Sequence, residues 1–219
     1  MRFGLVFALL LATPTASAME SWPDLLKAAL AKNDAELLQP YELHVSAGAL
    51  EAVGRVDPSA DPDERLMLIT PRIEELPKKQ RKEVKRFAQT IEHNLQCSAF
   101  GSMIPDDVGI VEETADRIVY GFQPIPDDPS DSADFIKHLS ATITVSKTEA
   151  DVIAFDIWSR KSFKPNLAAK IEDYQRRVQC APGPDGRRYV DRMEIHVKGK
   201  AAFKSFDRTI VQRVTRVGA

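Results

Sequence analysis

From Arg117 onward the chain reads as antiparallel β, broken by a Pro/Asp-rich loop from Gln123 to Asp134, and the period of two in its strand segments constrains the chain more than any other feature. Leu139, Ala141, Ile143 and Val145 alternate without a break with Ser140, Thr142, Thr144 and Ser146. A period of two sends successive side chains to opposite faces of a strand, so one face of this segment is buried and the other wet. Ile118, Tyr120 and Phe122 alternate in the same way. Lys147 to Asp151 turns the chain, and Ile153, Phe155 and Ile157 return as the second arm of a hairpin. After the turn Pro182-Gly183-Pro184-Asp185-Gly186, Tyr189, Met193, Ile195 and Val197 alternate towards Gly199, and Ala201 to Val217 comes back. This closing hairpin is expected to shift register through a bulge near Ser205-Phe206. Residues 163–180 fit a helix through Leu167, Ala168, Ile171, Tyr174 and Val178, or a long polar strand; the strand is the preferred reading.

The first half mixes periods. Trp22, Leu25, Leu26, Ala29 and Leu30 follow helical spacing after Ser21-Trp22-Pro23-Asp24, with Ser21 as the expected cap and Pro40 as the latest stop. Tyr41, Leu43 and Val45, then Leu50 to Val56, then Arg65 to Thr70 read as three short strands. Glu74 to Leu95 is the clearest helix, with Val84, Phe87, Ala88, Ile91 and Leu95 on one stripe. Its other face carries Lys78, Lys79, Arg81, Lys82, Lys85 and Arg86. Cations at a helix N-terminus oppose the macrodipole, which Glu74, Glu75 and Glu83 offset. This basic run is either a solvated face or a docking patch for anionic head groups or an acidic envelope partner. About eight mostly antiparallel strands with two helices make an α+β fold. It is a curved sheet, an incomplete barrel, with the N-terminal and mid-chain helices on its concave face.

Residues 1–18 carry the elements of a cleavable export signal: Arg2, the apolar run Leu5 to Ala12, Pro14, and the small-x-small site Ala16-Ser17-Ala18. Cleavage after Ala18 would leave residues 19–219 as a single periplasmic domain, monomeric and without a transmembrane segment. Export changes the meaning of the two cysteines. In an oxidising compartment Cys97 and Cys180 are expected to form a disulfide. The competing reading is a reactive thiol, since His93 and Cys97 share a helix face at i,i+4.

Few chemistries have a local signature. Thirty basic and 32 acidic side chains give a net charge of −2, which excludes a surface devoted wholly to nucleic acid. His44, His93, His138 and His196 fall in no metal-ligand spacing. Asp127, Asp128, Asp131 and Asp134 invite calcium, but an EF-hand counted from Asp127 would place Ser132 and His138 where glycine and an acid are required. No nucleophile elbow, P-loop or dinucleotide fingerprint is present. No cofactor, metal or catalytic residue is therefore assigned, and the protein reads as a non-enzyme. A curved sheet can enclose an apolar ligand, and the candidate lining is Tyr120, Phe122, Ile143, Val145, Phe155 and Ile157. The plainer reading of the same six is an ordinary core.

The hairpin Leu139 to Trp158 and the closing hairpin around Gly199 resemble the periplasmic lipoprotein-localisation (LolA-type) superfamily in element order. The closing strand Lys198-Gly199-Lys200-Ala201-Ala202-Phe203 is also similar to those of exported proteobacterial proteins. The resemblance implies an N-terminal helix before a curved, incomplete antiparallel barrel. It also implies binding of a lipid, an acyl chain or a lipoprotein. The expected function is thus apolar-ligand binding. A surface-acting structural or regulatory envelope protein is the alternative, and a hydrolase with a dispersed site comes third.

Overall fold

The computed structural model describes residues 21–31, 40–48, 50–61, 63–78, 80–82, 84, 95–126, 133–166, 168–183, 186–202 and 204–216. The expected signal and its cleavage site, His93, Lys79, Lys85, Arg86, Phe87, Ala88, Ile91, Asp127, Asp128 and Asp131 lie outside these residues.

Among the described residues eleven strands build one antiparallel sheet: β1 (Tyr41–Ala47), β2 (Leu50–Val56), β3 (Leu66–Thr70), β4 (Gly109–Glu113), β5 (Arg117–Phe122), β6 (Leu139–Ser146), β7 (Asp151–Ser159), β8 (Phe163–Asn166), β9 (Ala169–Pro182), β10 (Arg188–Ala201) and β11 (Lys204–Arg216). Their order is β3-β2-β1-β11-β10-β9-β7-β6-β5-β4, with β8 paired to β9. The sheet is curved and not closed, and the protein is α+β.

The count of eight strands is corrected to eleven. β4 has no buried residue, so it carries no alternation to read. Residues 163–166 and 169–180 are extended, as the preferred reading has it, but they divide into β8 and β9. The closing hairpin also differs from expectation. β10 and β11 pair without interruption from Arg192↔Arg213 to Ala201↔Lys204, and the register shifts lie between β9 and β10 instead. Gly199 sits inside β10 and not at the turn, which falls at Ala202 with its positive φ of 45°. A Cβ on Gly199 would collide with the Lys170 carbonyl and press on the Phe206 ring, so glycine here permits close strand approach.

The N-terminal helix α1 (Asp24–Leu30) is shorter than its sequence pattern and begins after Pro23. Ser21 does not cap it. The Ser21 hydroxyl donates to the Asp106 carbonyl at 2.9 Å, and Trp22 Nε1 donates to the Pro105 carbonyl at 2.8 Å. These two bonds tie the chain entry to the loop after a 3-10 turn at Cys97–Met103. The mid-chain helix also starts later than expected. Ile73–Glu75 is a separate 3-10 turn, and residues 78, 80–82 and 84 are helical. Leu95 is no longer helical, and the Leu95 carbonyl accepts from Val190 N–H in β10 at 2.8 Å.

Side chains opposite each other in antiparallel strands share a face. The register therefore assigns Tyr120, Ile143, Phe155 and Val178 to the inner face, continuing through Met193, Gln212 and Val45 to Ala52. Over β5 to β10 this face is filled. Leu26, Ala29 and Leu30 of α1 and Phe100 of the 3-10 turn complete one buried cluster with it. A second, smaller cluster joins Tyr41, Leu43 and Val56 at one end of β1 and β2.

Candidate functional site

The six residues named as a candidate cavity lining are all in the filled half. Tyr120, Phe122, Ile143, Val145, Phe155 and Ile157 are each 9% exposed or less. Phe155 stacks on Phe100 with centroids 4.6 Å apart and planes 4° from parallel, and Phe122 stands 6.2 Å from it at a tilt. The Arg176 guanidinium lies 5.6 Å from the Phe100 ring centre and closes that stack from β9. The space between sheet and cover is thus taken up by aromatic rings.

Cys97 and Cys180 form a disulfide across 83 positions, with Cα atoms 6.2 Å apart. Both cysteines are buried, and the bond fixes the 3-10 turn to β9 above the aromatic stack. A disulfide points to an oxidising, exported environment. It also removes the thiol reading of Cys97, because a bonded sulfur is not a free nucleophile.

The apolar hollow lies on the same face of the sheet, but over β3-β2-β1-β11. It is a half-open groove of about 420 Å³. Its floor is Leu43, Val45 and Ala47 of β1, Ala52 and Gly54 of β2, Leu66 and Leu68 of β3, and Ile210 and Gln212 of β11. Its roof is Pro71, Leu76, Gln80 and Val84. Gln80 and Val84 are four positions apart and share one face of the helical segment, and Leu76 precedes that segment in extended conformation. Among the described residues no charged side chain lines the groove, and Gln80 and Gln212 are its polar side chains.

The groove exists because its floor is low. Ala47, Ala52 and Gly54 occupy inner positions that in the filled half carry Phe155, Ile143 and Tyr120. Leu66 leans across Gly54, where a Cβ would stand 2.7 Å from Leu66 Cδ1. None of these residues was expected to line a cavity; Leu43, Val45 and Val84 carried only strand and helix periodicity. Their signal was the pairing of small inner residues with a helical segment above, and alternation records a face without recording what covers it.

The basic run faces away from the groove as far as it is described: Lys78, Arg81 and Lys82 are exposed. Asp134 lies in a short helix, Ala133–Ile136, and not in a loop as expected; it is ion-paired with Lys137 at 2.6 Å, and that bond lowers its carboxyl pKa. His44 lies 3.7 Å from Glu42 on the outer face of β1. His138 stacks on Phe163 with centroids 4.5 Å apart. His196 sits between Asp173 at 3.3 Å and Asp207 at 2.9 Å. Among the described residues, no helix is long and apolar enough to cross a membrane. Comparison with protein-family models, with curated proteins and with solved structures finds no match to this chain.

Proposed function

We propose that the protein is a non-enzymatic, periplasmic binding protein that takes an apolar ligand, such as a lipid, an acyl chain or the lipid part of a lipoprotein, into the groove above β3-β2-β1-β11. The observation that carries this reading is a hollow of about 420 Å³ with no charged side chain among the described residues that line it. A volume of that order matches small-molecule sites, and burying apolar surface there contributes roughly 25 cal/mol per Å². The disulfide supports export, and a signal at residues 1–18 belongs to the same reading. The likeness of element order to the lipoprotein-localisation superfamily points the same way.

Native mass spectrometry of the protein purified from its own host tests the proposal. The expected result is an added mass that organic extraction removes. Ala52→Trp, which raises the groove floor, should abolish that mass and also the uptake of a fluorescent fatty acid. A clean apo mass together with no fatty-acid uptake by the unaltered protein overturns the proposal.

A second reading, action through the surface, is favoured by the exposure of Lys78, Arg81 and Lys82 beside the groove roof. Charge reversal at these three should abolish co-purification of an acidic envelope partner or retention on anionic vesicles. Unchanged co-purification and retention would remove the basic segment from consideration.

A further inference from the structure

The outer face of the sheet is polar, and one part of it is hollow. Antiparallel register places Thr142, Asp156 and Arg177 in one row across β6, β7 and β9, and Ser140, Trp158 and Gln175 in the row beside it. Thr142, Asp156, Trp158, Asp173, Gln175 and Arg177 border a depression of about 440 Å³. Trp158 is 37% exposed there, whereas the other tryptophan, Trp22, is 6% exposed. An indole left on a sheet face, beside groups able to exchange hydrogen bonds, is an amphipathic platform.

The polar groups are held in place by one another. Arg177 Nη2 donates to Gln175 Oε1 at 3.3 Å, and Gln175 Nε2 donates to Asp173 Oδ2 at 3.3 Å. His196 Nδ1 approaches the same Asp173 oxygen at 3.3 Å, and its Nε2 pairs with Asp207 at 2.9 Å. Asp156 differs. Among the described residues no hydrogen bond or ion pair reaches its carboxyl, although it is only partly exposed. Burial raises its pKa, and the nearby Arg177 charge opposes that rise. A half-buried carboxylate without a donor is expensive unless a ligand supplies one.

The mixture selects a ligand class. On this face Arg177 stands against Asp156, and Asp173 is engaged by Gln175 and His196, so no single charge is left in excess to favour a phosphate or an ammonium group. A pyranose ring offers an apolar C–H face to an indole and pairs of adjacent hydroxyls to a carboxylate or a guanidinium fork. We propose that this depression binds a neutral saccharide: Trp158 stacks on one pyranose ring, and Asp156, Gln175 and Arg177 exchange hydrogen bonds with its hydroxyls. The site lies on the face opposite the apolar groove, and it stands or falls independently of the groove.

Isothermal titration with maltotetraose, cellotetraose and the tetramer of N-acetylglucosamine, each to millimolar concentration, tests the proposal. Tryptophan emission is followed in parallel. At least one tetrasaccharide should give saturable heat and a blue shift from Trp158. Trp158→Ala should weaken binding by about tenfold or more, and Trp158→Phe should restore part of it, because a smaller ring still stacks. Asp156→Asn should weaken binding severalfold while leaving the circular dichroism spectrum and melting cooperativity intact. No heat and no emission shift with any of the three overturns the proposal. So does binding that both Trp158→Ala and Asp156→Asn leave unchanged.

Discussion

Phe155 in β7 and Ala52 in β2 both lie on the inner face of one sheet, yet Phe155 is fully buried and Ala52 borders an open groove. The backbone beneath them is the same antiparallel ladder. What differs is the volume above it. In the half spanning β5 to β10, three phenylalanine rings and α1 fill the gap, and a disulfide holds the cover down. In the half spanning β3 to β11, alanine and glycine sit at the inner positions beneath a helical segment. Interiors pack to crystal-like density where side-chain volume suffices. Where it does not, a covering element held by its ends leaves a hollow. One half therefore serves as foundation, and the other is free to hold something else.

Removing the foundation should have the largest effect. The Cys97→Ser, Cys180→Ser variant should lose about 4–5 kcal/mol of unfolding free energy on the chain-entropy estimate for an 83-position closure. Urea titration measures it, and a loss near zero would mean that the packed half does not need its staple. Truncation comes next. Phe155→Ala should cost about 3–5 kcal/mol, whereas Leu43→Ala, beside a hollow that already exists, should cost nearer 2 kcal/mol. Equal costs from paired denaturation curves would break the comparison.

Insertion sharpens it from the other side. Ala141 is 1% exposed in the packed half, so Ala141→Leu should destabilise by roughly 1–3 kcal/mol. The same change at Ala52, in ligand-stripped protein, should fall within about 0.5 kcal/mol of zero because the groove accepts the added methylenes.

The smallest effect concerns the outer face, which belongs to neither half's packing. Asp156 has a folded pKa above its unfolded value. Between the two values the folded state binds more protons, so stability falls as pH rises through that window, and the penalty persists at neutral pH. Asp156→Asn should raise the melting temperature at pH 7 by on the order of a degree. The gain should vanish below about pH 3, where the aspartic acid is also neutral. A gain independent of pH would assign the effect to packing.

Legibility followed burial. β6 emerged with the bounds expected from its alternation because one face meets the core and the other meets water, and its burial alternates nearly throughout. β4 escaped because all five of its residues are exposed, so its sequence carries no period. The helical stripe expected to run to Leu95 overran, because Leu95 instead supplies its carbonyl to β10. Of its other members, Val84 is helical and roofs the groove, and Phe87, Ala88 and Ile91 lie outside the described residues. The aromatic residues were assigned to the correct face and packed as core there, while the hollow formed over smaller residues on the same face.

Local order was thus determined by the chain itself: the positions of the half-buried strands, the inward set of β5, β6 and β7, and the cysteines able to pair in an oxidising compartment. Periodicity and chemistry are properties of neighbours along the chain. Which inward set is capped by rings and which by a helical segment over alanine and glycine was decided only in three dimensions. Cavity volume depends on residues from strands that meet through β1 and β11, at opposite ends of the sequence. No local period encodes the gap between a floor and a roof that come from such distant segments.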